Sequence, residues 1–288
     1  MKGLAGVVVL YYPDKKFLFQ NIHSYLDWID RLFVIDNSAK EDVEMQHELN
    51  KLGKKICYIL CLSNIGVAAA LNKAADEATS AGFSWLLTMD QDSYFQKDQA
   101  ALFFSQFSDL FCADSSIGII SPSIEKTTVN TEIFSEGIHS ITSGSLVNLN
   151  AFKDIGKFDE KLFIDEVDYD YSCRLKLNNY KIIRFNNIHL EHSLGQKLRR
   201  GFVGLFLRKQ RIIHSPQRLY FIVRNYLYVR KQYKKQFPAL FKERDKQFIH
   251  ALKNNIFFSG NFFKALNNVA RGYMDYRNRH FNNRIGKT

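Results

Sequence analysis

Two aspartates with one residue between them, Asp90 and Asp92, directly follow an apolar run at residues 85–89. Side chains alternate along a strand, so this spacing predicts that both carboxylates point to the same side at a strand end. Two such carboxylates can hold a hard divalent cation and leave positions open for phosphate oxygens. A solvated turn is the competing interpretation, and the preceding apolar run favours the metal site. His192 is a second candidate metal or phosphate contact, although a lone histidine is more often structural.

Four acids lie within six residues of one segment, and they are Asp165, Glu166, Asp168 and Asp170. Crowded carboxylates raise one another's pKa, and a carboxylate with a raised pKa suits a general base. Two structural alternatives stay open from the residues alone. Asp170 and Arg174 have the i, i+4 spacing of a helix ion pair, and acids are also common in the first turn of a solvated helix.

Polar residues also border two other apolar segments. Asp36 follows the run 32–35 and could accept a hydrogen bond from a nucleobase or form an Asx-turn or helix cap, and the segment favours neither. Asn64, Gly66 and Asn72 flank an alanine-rich helix start, where free N–H groups can bind an anion. Tight packing of small residues explains the alanines but not the two asparagines.

Strands and helices must alternate to position these residues. The expected order is strand 4–11, helix 17–28, strand 32–35, helix 41–52, strand 55–62, helix 67–78, strand 85–89, helix 97–112 and strand 118–121. This order predicts an α/β fold, Rossmann-like, with a mostly parallel sheet and helices on both faces. Ligands of such sheets bind at the carboxyl ends of the strands, where the polar clusters 36–38 and 90–93 fall.

The composition argues against several other classes of protein. The 288 residues are 46% hydrophobic and 24% charged with four prolines, which is typical of a globular protein and not of a disordered or collagen-like one. The four cysteines form no C-x-x-C pair, which argues against a disulfide scaffold and a thiolate zinc site. No apolar run approaches the roughly 18 residues of a membrane-spanning helix. The apolar start of the chain is interpreted as a buried strand and not as a signal peptide.

Charge is distributed unevenly along the chain. Residues 197–288 contain 22 lysines and arginines against three acids, whereas residues 1–196 carry a net charge of −8. We therefore predict two domains, a catalytic one over residues 1–196 and a basic, aromatic, helical one over residues 197–288. Ser215 and Pro216 have the types expected at a helix start. A strongly basic region implies an anionic partner such as a membrane surface, a pyrophosphate-bearing molecule or nucleic acid.

Together these motifs resemble family 2 glycosyltransferases with the GT-A fold, and within them the bacterial rhamnosyltransferase-like group. Residues 64–72 are similar to the N-x-G-x-A-x-A-x-N segment of that group, residues 90–92 to its D-x-D, and residues 143–145 to the loop before its acceptor site. Residues 163–174 are similar to its F-I-D-x-V-D-x-E-W-x-x-R run. The resemblance covers roughly residues 3–235, and all of these motifs occur in the family's order.

Two further segments carry the resemblance with small departures. Tyr11 and Pro13 are similar to the V-T-Y-N-P turn after the first strand, although Leu10 and Tyr12 replace its Thr and Asn. The acidic run has Asp and Tyr at positions 170 and 171 where the pattern has Glu-Trp. The group's R-x-Y-x-x-x-R-N helix has its counterparts in Arg218, Tyr220, Arg224 and Asn225.

The resemblance implies an inverting glycosyltransferase that uses a nucleotide diphosphate sugar as donor. The expected sugar is L-rhamnose or a related hexose, and the expected acceptor is a glycan or a lipid-pyrophosphate-linked glycan in cell-surface polysaccharide synthesis. Asp168 takes the place of the catalytic base, and Mg²⁺ or Mn²⁺ is expected on Asp90 and Asp92, with His192 as a further candidate ligand. The other expected contacts are Tyr11, Asp36, Asn64, Gly66, Asn72 and Asp90 for the nucleotide sugar, and Ser143, Gly144, Asp165 and Glu166 on the acceptor side.

Two alternatives from other classes remain. The same carboxylates could serve a metal-dependent nucleotidyl or phosphoryl transferase, although no Walker loop occurs. The basic region could bind nucleic acid, but that function leaves both carboxylate clusters unexplained. Basic and aromatic residues together suit an anionic membrane surface, so we expect a cytoplasmic protein that is peripheral on the inner face of the cell membrane.

Overall fold

The computed structural model describes residues 3–111, 113–123, 132–192, 197–198 and 211–281. The chain forms two compact units, and each is assembled from two stretches of sequence. The sheet unit comprises Met1–Glu160 and Asp168–Ser193, and the helical unit comprises Lys161–Val167 and Leu194–Thr288. The predicted division into residues 1–196 and 197–288 differs from this chiefly at residues 161–167, which group with the helices.

Four parallel strands form one side of the sheet, in the order β3-β2-β1-β4. They are β1 (Leu4–Leu10), β2 (Arg31–Asp36), β3 (Ile56–Leu60) and β4 (Trp85–Asp90). β1, β2 and β4 are continuous apolar runs, and nearly all of their side chains are buried. This is the pattern expected of parallel strands that are covered on both faces.

The other strands make the sheet mixed. They are β5 (Ser93–Phe95), β6 (Ile117–Ser123), β7 (Phe134–Gly137), β8 (Ser145–Asn148) and β9 (Lys181–His192). β8 runs antiparallel to β4 and β6, β6 and β9 are parallel, and β5 and β7 each pair antiparallel with β9. The α/β fold is therefore as predicted, but the sheet is mixed and not mostly parallel, since four of the pairings among its described strands are parallel and four are antiparallel. The predicted ligand-binding ends lie on its parallel side.

Six helices of the described residues accompany the sheet. They are α1 (Lys15–His23), α2 (Val43–Lys51), α3 (Val67–Ser80), α4 (Lys97–Leu110), α5 (Leu149–Ile155) and α6 (Val167–Leu177). Asp14 and Asp42 cap α1 and α2 with their carboxylates, which accept hydrogen bonds from first-turn N–H groups. The predicted helix 17–28 ends at His23, and a short 3₁₀ turn follows at Leu26–Trp28.

Three long helices form most of the helical unit: α7 (Pro216–Tyr233), α8 (Pro238–Phe258) and α9 (Phe262–Asn278). The unit also contains the short antiparallel pair β10 (Lys197–Leu198) and β11 (Arg211–Ile212). The predicted start of α7 is confirmed, since the Ser215 hydroxyl accepts a hydrogen bond from the Arg218 N–H at 3.2 Å. Among the described residues, none of the helices has both the length and the apolar composition to cross a membrane.

Candidate active site

The carboxyl ends of three neighbouring strands bring three predicted site residues together. In the sheet register Leu10 is opposite Asp36, and Val9 is opposite Asp90. Tyr11 follows β1 directly, so Tyr11, Asp36 and Asp90 lie at adjacent strand ends. This is the position at which ligands bind in sheets of this kind.

The two aspartates of the D-x-D motif differ in their backbone setting. β4 ends at Asp90, and Gln91 and Asp92 form a turn before β5. The strand alternation on which the predicted alignment relied does not extend to Asp92, because Asp92 is not in a strand. Gln91 fixes the turn instead: its Oε1 accepts from the Tyr11 N–H at 2.8 Å, and its backbone oxygen accepts from Asn21 Nδ2 at 2.9 Å.

The donor set of this turn fits a hard divalent cation. Asp90 is half-buried and Asp92 is exposed. Within the described ranges, no three His, Cys, Asp or Glu side chains are grouped closely enough to hold a metal ion by themselves. One or two carboxylates that share an ion with substrate phosphates are the usual arrangement for Mg²⁺. His192 lies in β9 opposite Ser93, and its side chain falls outside the described part of the structure.

Asp36 is fully buried, and both of its carboxylate oxygens accept hydrogen bonds. Oδ1 accepts from the Ser38 N–H at 2.8 Å, which is an Asx-turn, and Oδ2 accepts from the Tyr58 hydroxyl at 2.7 Å. Burial and the hydrogen bond to Asp36 raise the pKa of Tyr58 above its ordinary value. The Asx-turn interpretation is confirmed, and the nucleobase contact stays a prediction.

A groove of about 370 Å³ adjoins the ends of β1 and β2. Its lining includes Tyr12, Pro13, Ser38 and Lys40. The Tyr12 N–H donates to the Ser38 hydroxyl at 2.9 Å, so the two strand ends are joined at the floor of the groove. Tyr12 has a φ of 45°, in the left-handed region, which is uncommon for an aromatic residue and is frequent at functional turns.

Asn64 and Gly66 shape the start of α3. The Asn64 carboxamide oxygen accepts from the Gly66 N–H at 3.0 Å, and Gly66 has a φ of 86° that favours glycine. Asn72 is buried and has a different role. Its Nδ2 donates to the Phe158 backbone oxygen, and its Oδ1 accepts from the Phe158 N–H, both at 3.0 Å. The geometry gives Asn72 a positioning role, and its predicted nucleotide contact stays untested.

Residues 139–145, here called the bridging loop, attach to β4. The Ser143 hydroxyl accepts from the Asp90 N–H at 3.1 Å, and the Gly144 N–H donates to the Thr88 oxygen at 2.7 Å. Gly144 has a φ of 76°, and a Cβ there would lie 2.7 Å from the Leu190 side chain. The predicted acceptor-side residues Ser143 and Gly144 thus hold the end of β4 in place.

The acidic run separates into individual pairs. Asp165 pairs with Arg218 at 2.9 Å, Glu166 pairs with Arg244, and Asp170 pairs with Arg174 at 2.8 Å. Asp168 instead lies 3.1 Å from His139 Nε2. The predicted crowding of the four carboxylates is therefore replaced by a separate cationic or imidazole partner for each of them. The i, i+4 ion pair between Asp170 and Arg174 is confirmed.

His139 is the site residue that the sequence analysis missed. Its ring stacks on Tyr169 with centroids 3.6 Å apart and planes within 5°, which fixes the edge that faces Asp168. Asp168 lies in the first turn of α6, where the helix dipole favours a negative charge. About a fifth of the Asp168 side chain, 22%, is open to solvent. The carboxylate is thus both oriented and accessible.

The bridging loop joins the two parts of the site. It holds Asp90 through Ser143 and contacts Asp168 through His139. These two loop residues are four positions apart, so their Cα atoms are separated by at most about 14 Å. The strand end that carries Asp90 and the accessible carboxylate of Asp168 therefore lie within reach of one small-molecule substrate.

A family model for glycosyl transferase family 2 matches residues 6–155, which is just over half of the chain. The chain belongs to glycosyl transferase family 2. The dTDP-rhamnosyl transferase RfbF of Shigella flexneri is 27% identical to it over 253 residues, which cover 80% of this chain and 81% of that protein. The chain is thus a rhamnosyltransferase-like glycosyltransferase of family 2.

Solved structures agree on the fold. The crystal structure of GalNAc-T7 with UDP, GalNAc and Mn²⁺ has a TM-score of 0.55 at 13% identity, and it covers 67% of this chain. TarS of S. aureus has a TM-score of 0.50 at 13% identity and covers 96% of this chain. The chain spans 44% and 55% of those two structures, about half their length. The GT-A fold implied by the sequence motifs is confirmed.

Proposed function

We propose that this glycosyltransferase moves L-rhamnose from a dTDP-linked donor to a hydroxyl group of a glycan, with inversion at the anomeric carbon. The name of the RfbF relative supports the choice of donor. The observation that carries the proposal is the bridging loop, which ties a strand-end aspartate to an accessible, oriented carboxylate. Transfer with inversion needs this pair of functions, one at the leaving diphosphate and one at the attacking hydroxyl.

Asp168 is the proposed general base. The acceptor hydroxyl attacks the anomeric carbon while Asp168 accepts its proton, and the bond to the diphosphate oxygen breaks. His139 and Tyr169 hold the carboxylate in one orientation throughout. A base held in the reactive orientation removes part of the entropic barrier to attack.

Asp90 and Asp92 would hold Mg²⁺ or Mn²⁺ together with the donor diphosphate. The bound cation would neutralise the negative charge that develops on the departing diphosphate. Around it, Gln91 and Ser143 hold the backbone of the turn, while the groove beside Tyr12 and Ser38 offers space for the nucleoside. Asn64, Gly66 and the buried Asp36 shape the neighbouring strand ends.

The acceptor is proposed to be a glycan carried on a lipid pyrophosphate, at the inner face of the cell membrane, in polysaccharide synthesis. Residues 197–288 contain 22 lysines and arginines against three acids, and this positive charge complements that of a pyrophosphate. Asp165 and Glu166 remain proposed acceptor-side residues, although each is already paired with an arginine.

The deciding experiment incubates the full chain with a panel of nucleotide sugars and an acceptor glycan, with Mg²⁺ or Mn²⁺ present. We expect dTDP to be released only with the rhamnose donor and acceptor together, and the new linkage to have the inverted anomeric configuration by NMR. Chelation should abolish release, and Asp92→Ala should weaken cation-dependent donor binding. Release of inorganic pyrophosphate in place of dTDP would assign the chain to nucleotidyl transfer and reject the proposal.

Donor binding has an independent readout in thermal stability. A ligand present at 100 times its dissociation constant stabilises a protein by about 2.7 kcal/mol. The rhamnose donor should therefore raise the melting temperature in the presence of the cation, and a donor with another nucleotide should raise it less. Equal shifts for all nucleotides would argue against a dTDP site.

A further inference from the structure

α9 carries an apolar face that is turned away from its packing partners. Ala265, Asn268 and Gly272 form its buried side. A Cβ at Gly272 would lie 2.6 Å from the Tyr220 oxygen, so α9 approaches the backbone of α7 closely on that side. The opposite arc, about 120° wide at 100° per residue, is mostly apolar and exposed.

The apolar arc continues onto the end of α8, and the combined surface is here called the outer face. It consists of Phe257, Phe262, Phe263, Leu266, Tyr273 and Met274. Phe263 is 83% exposed, Phe257 is 65% exposed and Met274 is 57% exposed. The rings of Phe257, Phe262 and Phe263 touch one another in sequence, with centroids 6.0 and 5.4 Å apart. These three rings therefore form one contiguous apolar surface.

An apolar groove adjoins this patch. Residues of α7, α8 and α9 line it, including Leu227, Phe248 and Val269, and Leu266 and Tyr273 belong to both the groove and the outer face. Its volume is about 370 Å³. An exposed apolar patch with an attached apolar groove is typical of a site that contacts a membrane, another protein or a ligand.

The surroundings of the outer face are basic. Exposed Lys264, Arg271 and Arg277 lie on α9 itself, and Lys253 is exposed on α8. Residues 197–288 as a whole contain 22 basic residues against three acids. A second copy of this face would oppose positive charge with positive charge, so the charge pattern favours an anionic partner.

We propose that the outer face docks on the surface of an anionic lipid bilayer, with α9 lying in the interface. Its apolar arc enters the boundary of the acyl chains, while Lys264, Arg271 and Arg277 contact the anionic headgroups. Aliphatic side chains such as Leu266 and Met274 favour lipid over nucleic acid, since bases stack on aromatic rings and not on aliphatic groups. Docking requires neither donor nor acceptor, so it can be tested apart from the reaction.

The experiment measures co-sedimentation of the full chain with vesicles of phosphatidylcholine alone or mixed with phosphatidylglycerol. We expect binding to the mixed vesicles only, weaker at high salt. Phe263→Ser combined with Met274→Ser should lower the partition coefficient by at least about tenfold, because two exposed apolar groups no longer enter the lipid. Lys264→Glu combined with Arg277→Glu should lower it by about fivefold or more per residue at low salt, with a smaller effect at high salt.

A matched control and a depth probe locate the contact. Leu110→Ser removes an apolar side chain that is 52% exposed on α4, and it should leave vesicle binding unchanged. Phe263→Trp should give fluorescence that is quenched by lipids brominated on the acyl chain, beyond the signal of the two natural tryptophans. Leu110→Trp should show no such added quenching.

Three results would overturn the proposal. Equal vesicle binding by the wild type and both double variants would remove the outer face from the contact. A concentration-dependent dimer that the Phe263→Ser/Met274→Ser variant abolishes, without vesicle binding, would make the face a self-interface. Tight nucleic-acid binding without vesicle binding would show that the partner is a nucleic acid and not a lipid surface. If the apolar variant unfolds by circular dichroism, the charge variant and the tryptophan probe decide.

Discussion

Within the acidic run, Asp168 contacts an imidazole, whereas Asp165, Glu166 and Asp170 each contact an arginine. Asp165 and Glu166 belong to the helical unit, where Arg218 and Arg244 bind them. Asp168 belongs to the sheet unit and contacts an imidazole, three residues from a carboxylate bound by a guanidinium. A guanidinium keeps its proton at all ordinary pH values, whereas an imidazole can orient a carboxylate without fixing a permanent charge beside it.

This difference separates structural carboxylates from a reactive one. Carboxylates in charge-assisted bonds with arginine lose stabilisation if they accept a proton, so such bonds favour a permanently ionised group. Asp168 contacts the His139 ring through its Oδ2, and 22% of its side chain is open to solvent. The four acids are close in sequence, and the side chains that contact them distinguish the proposed reactive carboxylate from the structural ones.

The largest expected contrast is in kcat, between an aspartate-to-asparagine change at position 168 and the same change at position 165. Asp168→Asn should lower kcat by about 10²–10⁴-fold, since the amide keeps the shape but cannot accept the proton. Donor binding, measured by thermal shift, should be retained. Asp165→Asn is the matched control, and its kcat should stay within a few fold of the wild type. Near-normal turnover in Asp168→Asn would move the base to another carboxylate.

Removal of an arginine partner tests the structural half of the contrast. Arg174→Ala removes the arginine that pairs with Asp170, which is 2% exposed. We expect a loss of about 3 kcal/mol in the free energy of unfolding, with kcat per folded molecule nearly unchanged. Lys176→Ala removes the partner of Glu136, whose side chain is 48% exposed, and it should lower the free energy of unfolding by less than about 1 kcal/mol. Urea unfolding of both variants measures the difference.

The imidazole itself should matter for rate more than for affinity. His139→Ala removes the group that orients Asp168, and we expect kcat to fall about tenfold while KM for the donor changes little. His139→Gln keeps a side-chain N–H near the carboxylate and should restore part of the rate. A rise in KM at constant kcat would show that His139 binds substrate and does not position the base.

Asp245, a carboxylate of the helical unit outside the acidic run, gives the smallest expected effect. Hydrogen bonds from Arg230, with further help from Tyr226 and Lys234, lower the pKa of Asp245 from its ordinary 3.8 to about 2. A depressed folded-state pKa means that the stabilisation is present above pH 3.8 and is lost as the pH falls towards 2. We expect about 1 kcal/mol after solvent screening. Asp245→Asn should therefore flatten the dependence of unfolding on pH between about 4 and 2.

Local patterns predicted the parts of the fold that depend on local physics. The apolar runs of β1, β2 and β4, and the start of α7 at Ser215, are encoded in adjacent residues. The short antiparallel strands β5, β7 and β8 were missed, because three or four residues carry no measurable period and their partners are distant in sequence. The long strand β9, which pairs parallel with β6, was also absent from the expected order.

The candidate site follows the same rule. Asp36 and Asp90 were found because they end apolar strands, and Asp168 because it matches a family motif. His139 was missed because its contact with Asp168 spans 29 residues and leaves no spacing signal. The alternation of strand side chains does not apply to Asp92, because β4 ends at Asp90 and Asp92 lies in the turn that follows. Tertiary partners, and not residue types, decide which of several acids is accessible.

The placement of residues 161–167 among the helices has a consequence for synthesis of the chain. Asp165 is made 53 residues before Arg218, and Glu166 is made 78 residues before Arg244. At 5–20 residues per second, the ribosome leaves Asp165 without its arginine for about 3–10 s. During that interval the nascent chain can complete most of its sheet but not the packing of this segment. Vectorial synthesis therefore makes the packing of residues 161–167 on the helices a late event. A chain that ended just after residue 193 would lack Arg218 and Arg244 and could not form it.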